Sequence, residues 1–220
     1  PYFTIANAGN ATDFGDLAAT NYQLMSLSNS TRGIFGGGTE SSVTNRIQYV
    51  TIASTGNTTD FGDLTVIGKL GATAASSTRG VFYGGDREEI DYITIGSTGN
   101  ATDFGNASIS NDRVFGSSNS TTGVFAGASQ TNGTIYKITI ASTGNDASFG
   151  GNLSDARIKG CSTSSPTRGF FGSGQNNSDV RTKTIDFITY SSAGNAQDFG
   201  DLLGAYGSFT RATSSAHGGL

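Results

Sequence analysis

The sequence predicts an all-β fold, a ring of five four-stranded antiparallel blades forming one domain over residues 1–220. Three observations predict it. A phrase typified by Ile52-Ala-Ser-Thr-Gly-Asn-Thr-Thr-Asp-Phe-Gly-Asp-Leu64 recurs five times, with marker glycines at Gly9, Gly56, Gly99, Gly144 and Gly194. A second phrase, typified by Thr31-Arg-Gly-Ile-Phe-Gly-Gly37, follows each copy. Its first Gly lies 19, 19, 19, 20 and 19 residues beyond the Phe of the first phrase. Composition supplies the third: 33 Gly, 28 Ser, 29 Thr and 16 Asn among 220 residues leave little material for long helices.

The marker glycines step by 47, 43, 45 and 50 residues, and the copies start near 1, 47, 90, 135 and 185. Such periods are the mark of repeat architectures. Each holds four short extended segments, A to D. Segment C alternates with period two: Ile93 and Ile95 share one face and Tyr92 and Thr94 the other, as at Val50/Ile52, Ile138/Ile140 and Ile188/Tyr190. The Ser-Thr-Gly-Asn run after it supplies turn chemistry. Segment D is Asp-Phe-Gly-Asp-Leu, whose Phe14, Phe61, Phe104, Phe149 and Phe199 are expected between neighbouring sheets. Segment A, such as Gly71-Ala-Thr-Ala-Ala-Ser-Ser77, is built of small residues, and segment B is the Arg-Gly-Val-Phe run ending on glycines.

Four antiparallel strands with a small-residue inner strand and aromatic outer strands describe the wedge of a β-propeller blade. The chain begins at segment C and stops inside segment B. The expectation is therefore a two-plus-two closure, in which residues 1–17 give C and D of the fifth blade and residues 203–220 give A and part of B.

The pattern of a strand ending in Gly-Gly, a variable loop, an aromatic strand and a further strand bearing an aromatic resembles kelch-type repeats. Phe stands where kelch repeats carry Trp, and the double Gly is intact at Gly36-Gly37 and Gly84-Gly85. The wording Thr-Gly-Asn-Ala-Thr-Asp-Phe-Gly-Asp-Leu with Thr-Arg-Gly-Val-Phe also resembles repeats in virion and tail-associated structural proteins of marine cyanophages. These resemblances imply a kelch-like propeller and a virion or extracellular location.

Charge excludes several function classes. With 13 basic against 17 acidic residues, a net charge of −4 and no basic cluster, there is no electrostatic footprint for nucleic acid. No apolar run is long enough to cross a bilayer as a helix. A single cysteine, Cys161, and a single histidine, His217, leave no disulfide or His-rich metal site, and no cofactor is expected.

Candidate chemistry is thin. Asp-Phe-Gly, the metal-holding motif of protein kinases, occurs four times here without the rest of the kinase apparatus and carries no such meaning. The pairs Asp13/Asp16, Asp60/Asp63 and Asp198/Asp201 read as backbone caps, since the fourth copy substitutes Ser148. His217 occupies the repeat position of Arg32, Arg79 and Arg168, which argues against a catalytic base. Nine Asn-X-Ser/Thr triplets, Asn10, Asn57, Asn100 and Asn119 among them, read as turn chemistry. The chain is expected not to be an enzyme.

Variation between copies is the more informative signal, because a fixed scaffold with divergent loops is how binding surfaces diversify. The loops from B to C contribute Glu40, Asp86, Arg87, Glu88, Gln130, Asn132, Gln175 and Asn176 as candidates. The linkers from D to A open on the same face and contribute Tyr22, Gln23, Lys69, Arg113, Arg157 and Tyr206 around the central channel. Their amide, guanidinium and phenol groups suit hydroxylated ligands. The expected function is a noncatalytic virion or tail-associated module meeting a host-surface glycan, a host protein or other virion proteins. A five-bladed lectin is the second reading, and a glycoside hydrolase, marked by three carboxylates at the channel mouth, the third.

Overall fold

A computed structural model describes residues 1–3, 8–108, 113–127, 133–176, 178–205 and 212. The described residues contain four blades, each a four-stranded antiparallel meander. Blade one comprises β1 (Met25–Ser28), β2 (Arg32–Gly36), β3 (Arg46–Thr51) and β4 (Thr59–Asp63). Blade two is β5 (Ala72–Ala75), β6 (Arg79–Tyr83), β7 (Glu89–Thr94) and β8 (Thr102–Asn106), and blade three is β9 (Phe115–Ser118), β10 (Thr122–Ala126), β11 (Thr134–Thr139) and β12 (Ala147–Asn152). Blade four is β13 (Cys161–Ser164), β14 (Arg168–Gly172), β15 (Thr184–Thr189) and β16 (Gln197–Asp201). All sixteen fall on the expected segments A to D, and the fold is an all-β propeller without helices among the described residues.

The core is a set of layers between blades. Met25, Leu27, Ile34, Ile47 and Phe61 of blade one bury themselves against Phe82, Ile93 and Ile95 of blade two. The next seam joins Val81, Tyr83, Ile90 and Phe104 to Phe125, Ile138 and Ile140, and the third joins Val124, Ile135 and Phe149 to Phe171, Ile188 and Tyr190. Burying each such side chain contributes about 2 kcal/mol. The expected packing of Phe61, Phe104 and Phe149 between sheets is met, each being 2% exposed. Phe14 is half-buried, and Phe199 is 56% exposed.

The repeated phrases are the fastening between blades. In strand D the glycine of Asp-Phe-Gly takes a positive φ, 140° at Gly62, and a Cβ there would run into the Gly99 carbonyl of the next blade. Beside it the Gly99 N–H donates to the Phe61 carbonyl (2.7 Å), and the Asp63 N–H donates to the Asn100 side-chain oxygen (3.0 Å). The same clasp recurs as Gly144 to Phe104 with Asn106 to Asn145, and as Asn152 to Asn195. Thr-Gly-Asn and Asp-Phe-Gly are thus the two halves of one fastener. In Thr-Arg-Gly the guanidinium lies over an aromatic ring of strand C, 4.5 Å for Arg32 over Tyr49 and 4.3 Å for Arg79 over Tyr92. It then donates across the seam, from Arg32 to the Ile95 carbonyl (2.7 Å) and from Arg79 to that of Ile140 (3.0 Å).

Blade three departs from the pattern in two linked ways. It has Thr122 in place of the Arg and Lys137 in place of the aromatic, and the Lys137 ammonium lies 6.0 Å from the Phe149 ring instead. Its strand D also carries an extra residue, Phe149-Gly150-Gly151, which accounts for the spacing of 20.

Where the repeats predict five blades, the described residues form four. The N-terminal segment repeats the outer half of a blade: Tyr2 and Thr12 form an antiparallel bridge, and Tyr2 meets Phe14 edge-on at 5.8 Å, as Tyr49 meets Phe61 at 5.9 Å. Its clasp to blade one is complete, with Gly56 donating to the Phe14 carbonyl (2.7 Å) and Asp16 to the Asn57 oxygen (2.9 Å). Apart from residues 203–205 and Ala212, the stretch expected to give inner strands A and B lies outside the described residues.

Candidate functional site

Strand A is the innermost strand of each blade, and its free edge must satisfy backbone groups that no fifth strand covers. Small hydroxyl residues do this from the neighbouring blade. Thr73 donates to the Ser26 carbonyl (2.6 Å), Ser117 to that of Thr163 (3.0 Å), Ser162 to that of Gly116, and the Ala75 N–H donates to the Ser118 hydroxyl oxygen (3.1 Å). The small-residue composition of segment A therefore has two causes, the narrow end of the wedge and these hooks. Between the four inner strands lies a cavity of about 140 Å³, lined by Ser26, Thr73, Arg113, Lys159 and Ser162 among others.

Two positions before strand A stand Gln23, Leu70, Arg113 and Lys159 in the four described blades, and the last three line the cavity. All four take positive φ, at 65°, 58°, 75° and 61°. This conformation costs on the order of 1 kcal/mol for a residue with a Cβ. Backbone bonds link them in series: Leu70 N–H to the Gln23 carbonyl (3.0 Å), Arg113 to Leu70 (2.8 Å) and Lys159 to Arg113 (3.2 Å). The series ties the four linkers to one another at one end of the described blades.

The linkers and B–C loops do share a face, as expected: Tyr22 bridges Thr39, Lys69 N–H donates to the Gly85 carbonyl (3.2 Å), and Ile158 bridges Gln175. Tyr22 is 58% exposed, Lys69 pairs with the exposed Asp86 (3.7 Å), and Glu40 pairs with Arg46 (3.6 Å). Glu88 is exposed and Asn176 half-buried, the latter's side-chain oxygen accepting from the Ser178 and Val180 N–H groups (2.9 and 3.1 Å). Gln130, Asn132 and Tyr206 lie outside the described residues.

Three candidates are corrected. Arg157 is fully buried, with its guanidinium 2.9 Å from buried Asp186 and donating to the Phe171 carbonyl (3.0 Å). Arg87 is likewise buried, 2.6 Å from Asp91, and Gln175 is buried with its amide donating to Asp179 (2.6 Å). All three are interior struts, withdrawn from any ligand at the rim. The two acids sit in strand C opposite a β-bulge of strand D, where Phe104 and Phe199 are the extra residues. There each also ties down the preceding blade, Asp91 through the Thr65 hydroxyl (2.6 Å) and Asp186 through that of Ser154 (2.6 Å). The equivalent position in blade one is Gln48, uncharged, and that blade supplies no buried Arg.

Lys159 was not among the sequence candidates. The signal for it is a count: Gln23, Leu70 and Arg113 each stand nine residues beyond the strand D Phe, and Lys159 stands ten beyond Phe149 because of the extra glycine.

The periodic carboxylates act as expected of caps. Asp103 and Asp198 accept from the N–H of Gly105 (3.1 Å) and Gly200 (3.0 Å), and Ser148 does the same for Gly150 (3.1 Å). Among the described residues no group of three or more His, Cys, Asp and Glu side chains is placed to share a metal ion. Comparison with the known protein families gave no match, and a search of curated proteins found no similar sequence.

Proposed function

We propose that the chain is a noncatalytic, kelch-like propeller module of a phage virion or tail, exposed outside the cell, that receives a host-surface glycan at its channel mouth. The observation that carries this reading is a division of labour among polar side chains. Those that repeat from copy to copy, namely the Asn of Thr-Gly-Asn, the Arg of Thr-Arg-Gly and the hydroxyls of strand A, are engaged in holding blade to blade. The positions that differ, Gln23, Leu70, Arg113 and Lys159 in the linkers with Tyr22, Glu40 and Glu88 beside them, lie on one face. The phage context rests on the resemblance of the repeated phrases.

Five blades, closed by the two termini, belong to the same proposal. In its support, Ile52 and Phe199, whose repeat counterparts Ile95 and Phe61 are buried, are 45% and 56% exposed. By repeat equivalence both face the fifth blade. The N-terminal half-blade already carries Gly9 and Asn10, the second half of a clasp whose first half would be Phe199-Gly200-Asp201.

Labelled protein is applied to a glycan array and to intact marine cyanobacterial cells, beside a variant in which the rim residues Gln23, Arg113 and Lys159 and the loop residues Tyr22, Glu40, Glu88 and Asn176 are exchanged for Gly and Ser, with the buried Arg87 and Gln175 kept. Binding that disappears in the folded variant is the expected result. A folded parent chain that binds neither target overturns the reading and leaves an architectural module.

A further inference from the structure

The linker of blade one carries an exposed aromatic ring where the other linkers do not. Tyr22 is 58% exposed, and its counterparts three positions before strand A are Lys69, Asp112 and Ile158. Backbone bonds fix what stands beside it. Tyr22 and Thr39 exchange both N–H to carbonyl bonds (3.1 and 2.8 Å), and Thr39 is bridged in turn to Val43. Residues directly opposite in an antiparallel pair project on one face with their Cβ atoms about 5 Å apart, so Tyr22, Thr39 and Val43 form a row. The chain turns at Gln23, whose φ is 65°, and the Thr39 hydroxyl donates to the Gln23 side-chain oxygen (3.3 Å). That bond uses the Thr39 proton and leaves its oxygen as an acceptor, while the Gln23 amide keeps its N–H groups as donors. Charges in the adjoining segments are paired, Glu40 with Arg46 (3.6 Å) and Lys69 with Asp86 (3.7 Å). An open ring face with an acceptor and donors at its edge suits a neutral ligand that has an apolar face and hydroxyls around it.

We propose that blade one binds a neutral hexopyranose stacked on Tyr22. The axial C–H groups of the sugar lie on the aromatic face, whose partial negative charge attracts them. One hydroxyl donates to the Thr39 oxygen and a neighbouring one accepts from the Gln23 amide. A sugar of gluco configuration meets this best, because its equatorial hydroxyls all point to the edge and leave a face of C–H groups. Tyr supplies the contact area at a low cost in side-chain ordering. The inference rests on the glycan-binding reading and names its place and sugar class.

The test is a titration of the full chain, followed by NMR, with methyl β-glucoside and with glycerol, which carries hydroxyls but no ring. The glucoside is expected to shift the ring resonances of Tyr22 and to exceed glycerol about tenfold or more in affinity. Backbone bonds hold the linker, so Tyr22→Ala leaves the thermal midpoint unchanged and lowers glucoside affinity about tenfold, while Tyr22→Phe retains it. Thr39→Val, which removes the acceptor, also weakens binding. Undiminished affinity in a folded Tyr22→Ala chain, glycerol binding as tightly as the glucoside, or Tyr22 resonances that do not move would overturn the inference. Glycan-array binding that survives Tyr22→Ala, with no affinity for the glucoside, sinks this site and spares the broader reading, whereas silence on the array and in the titration sinks both.

Discussion

Arg157 and Lys159 show how little a charge in a sequence says about where it ends. Arg157 and Asp186 are both fully buried, so the pair stands or falls together. Asp186→Asn leaves a buried guanidinium uncompensated and is expected to lower stability by about 3–5 kcal/mol, whereas Arg157→Met with Asp186→Leu comes much closer to the parent; urea denaturation of both variants checks this. Tyr83 makes a pH prediction. Burial, and then the hydrogen bond it donates to Asp146, push its pKa far above the usual tyrosine value. Burial also raises that of Tyr190. Above about pH 10, where a free tyrosine ionises, the unfolded chain releases protons that the native chain keeps. Stability then falls by up to about 1.4 kcal/mol per pH unit for each such tyrosine and is unaffected by them below that range. Tyr83→Phe keeps the stack on Phe125 at 3.9 Å. It is expected to cost about 1–2 kcal/mol at neutral pH and to flatten the alkaline loss, as read from denaturation curves between pH 8 and 11. Residue roles were the least legible part of the sequence: Arg157 and Lys159 are two apart, and only the geometry of the linker decides which one enters the core. The extra glycine of strand D moves the rim position of that linker from nine to ten residues beyond the Phe, which no local pattern announces.

Individual strands were far more legible, because period-two alternation in strand C and the fixed interval from Phe to Arg-Gly leave little freedom of register. What the repeated phrases do was hidden, since a turn sequence such as Ser-Thr-Gly-Asn reads as local chemistry and its partner lies about forty residues away, 37 in the case of Asn100 and Asp63. The element-level prediction follows from that partner. Asn100→Ala removes the acceptor for the Asp63 N–H and is expected to destabilise the chain by about 1 kcal/mol, while Asn100→Asp, which keeps an acceptor oxygen, costs less. Thermal unfolding of the two variants distinguishes loss of the clasp from loss of the turn.

At the scale of the whole molecule the period of the repeats announced a propeller, whereas the manner of closure depends on contacts between segments nearly the full chain apart, which periodicity does not encode. Asn10→Ala interrogates this. Closure by the termini predicts a loss comparable to that of Asn100→Ala, about 1 kcal/mol, and an open seam predicts no change. Three junctions present the same two halves, a Phe-Gly carbonyl edge on one side and a Gly-Asn pair on the other, so the clasp itself does not distinguish one blade from the next, and the buried acids Asp91 and Asp186 are what individualise the seams. A gain or loss of one whole repeat by unequal recombination would then leave a clasp at every remaining junction while exchanging the partners of those acids, so blade number is tolerated by the clasp and constrained by the buried pairs.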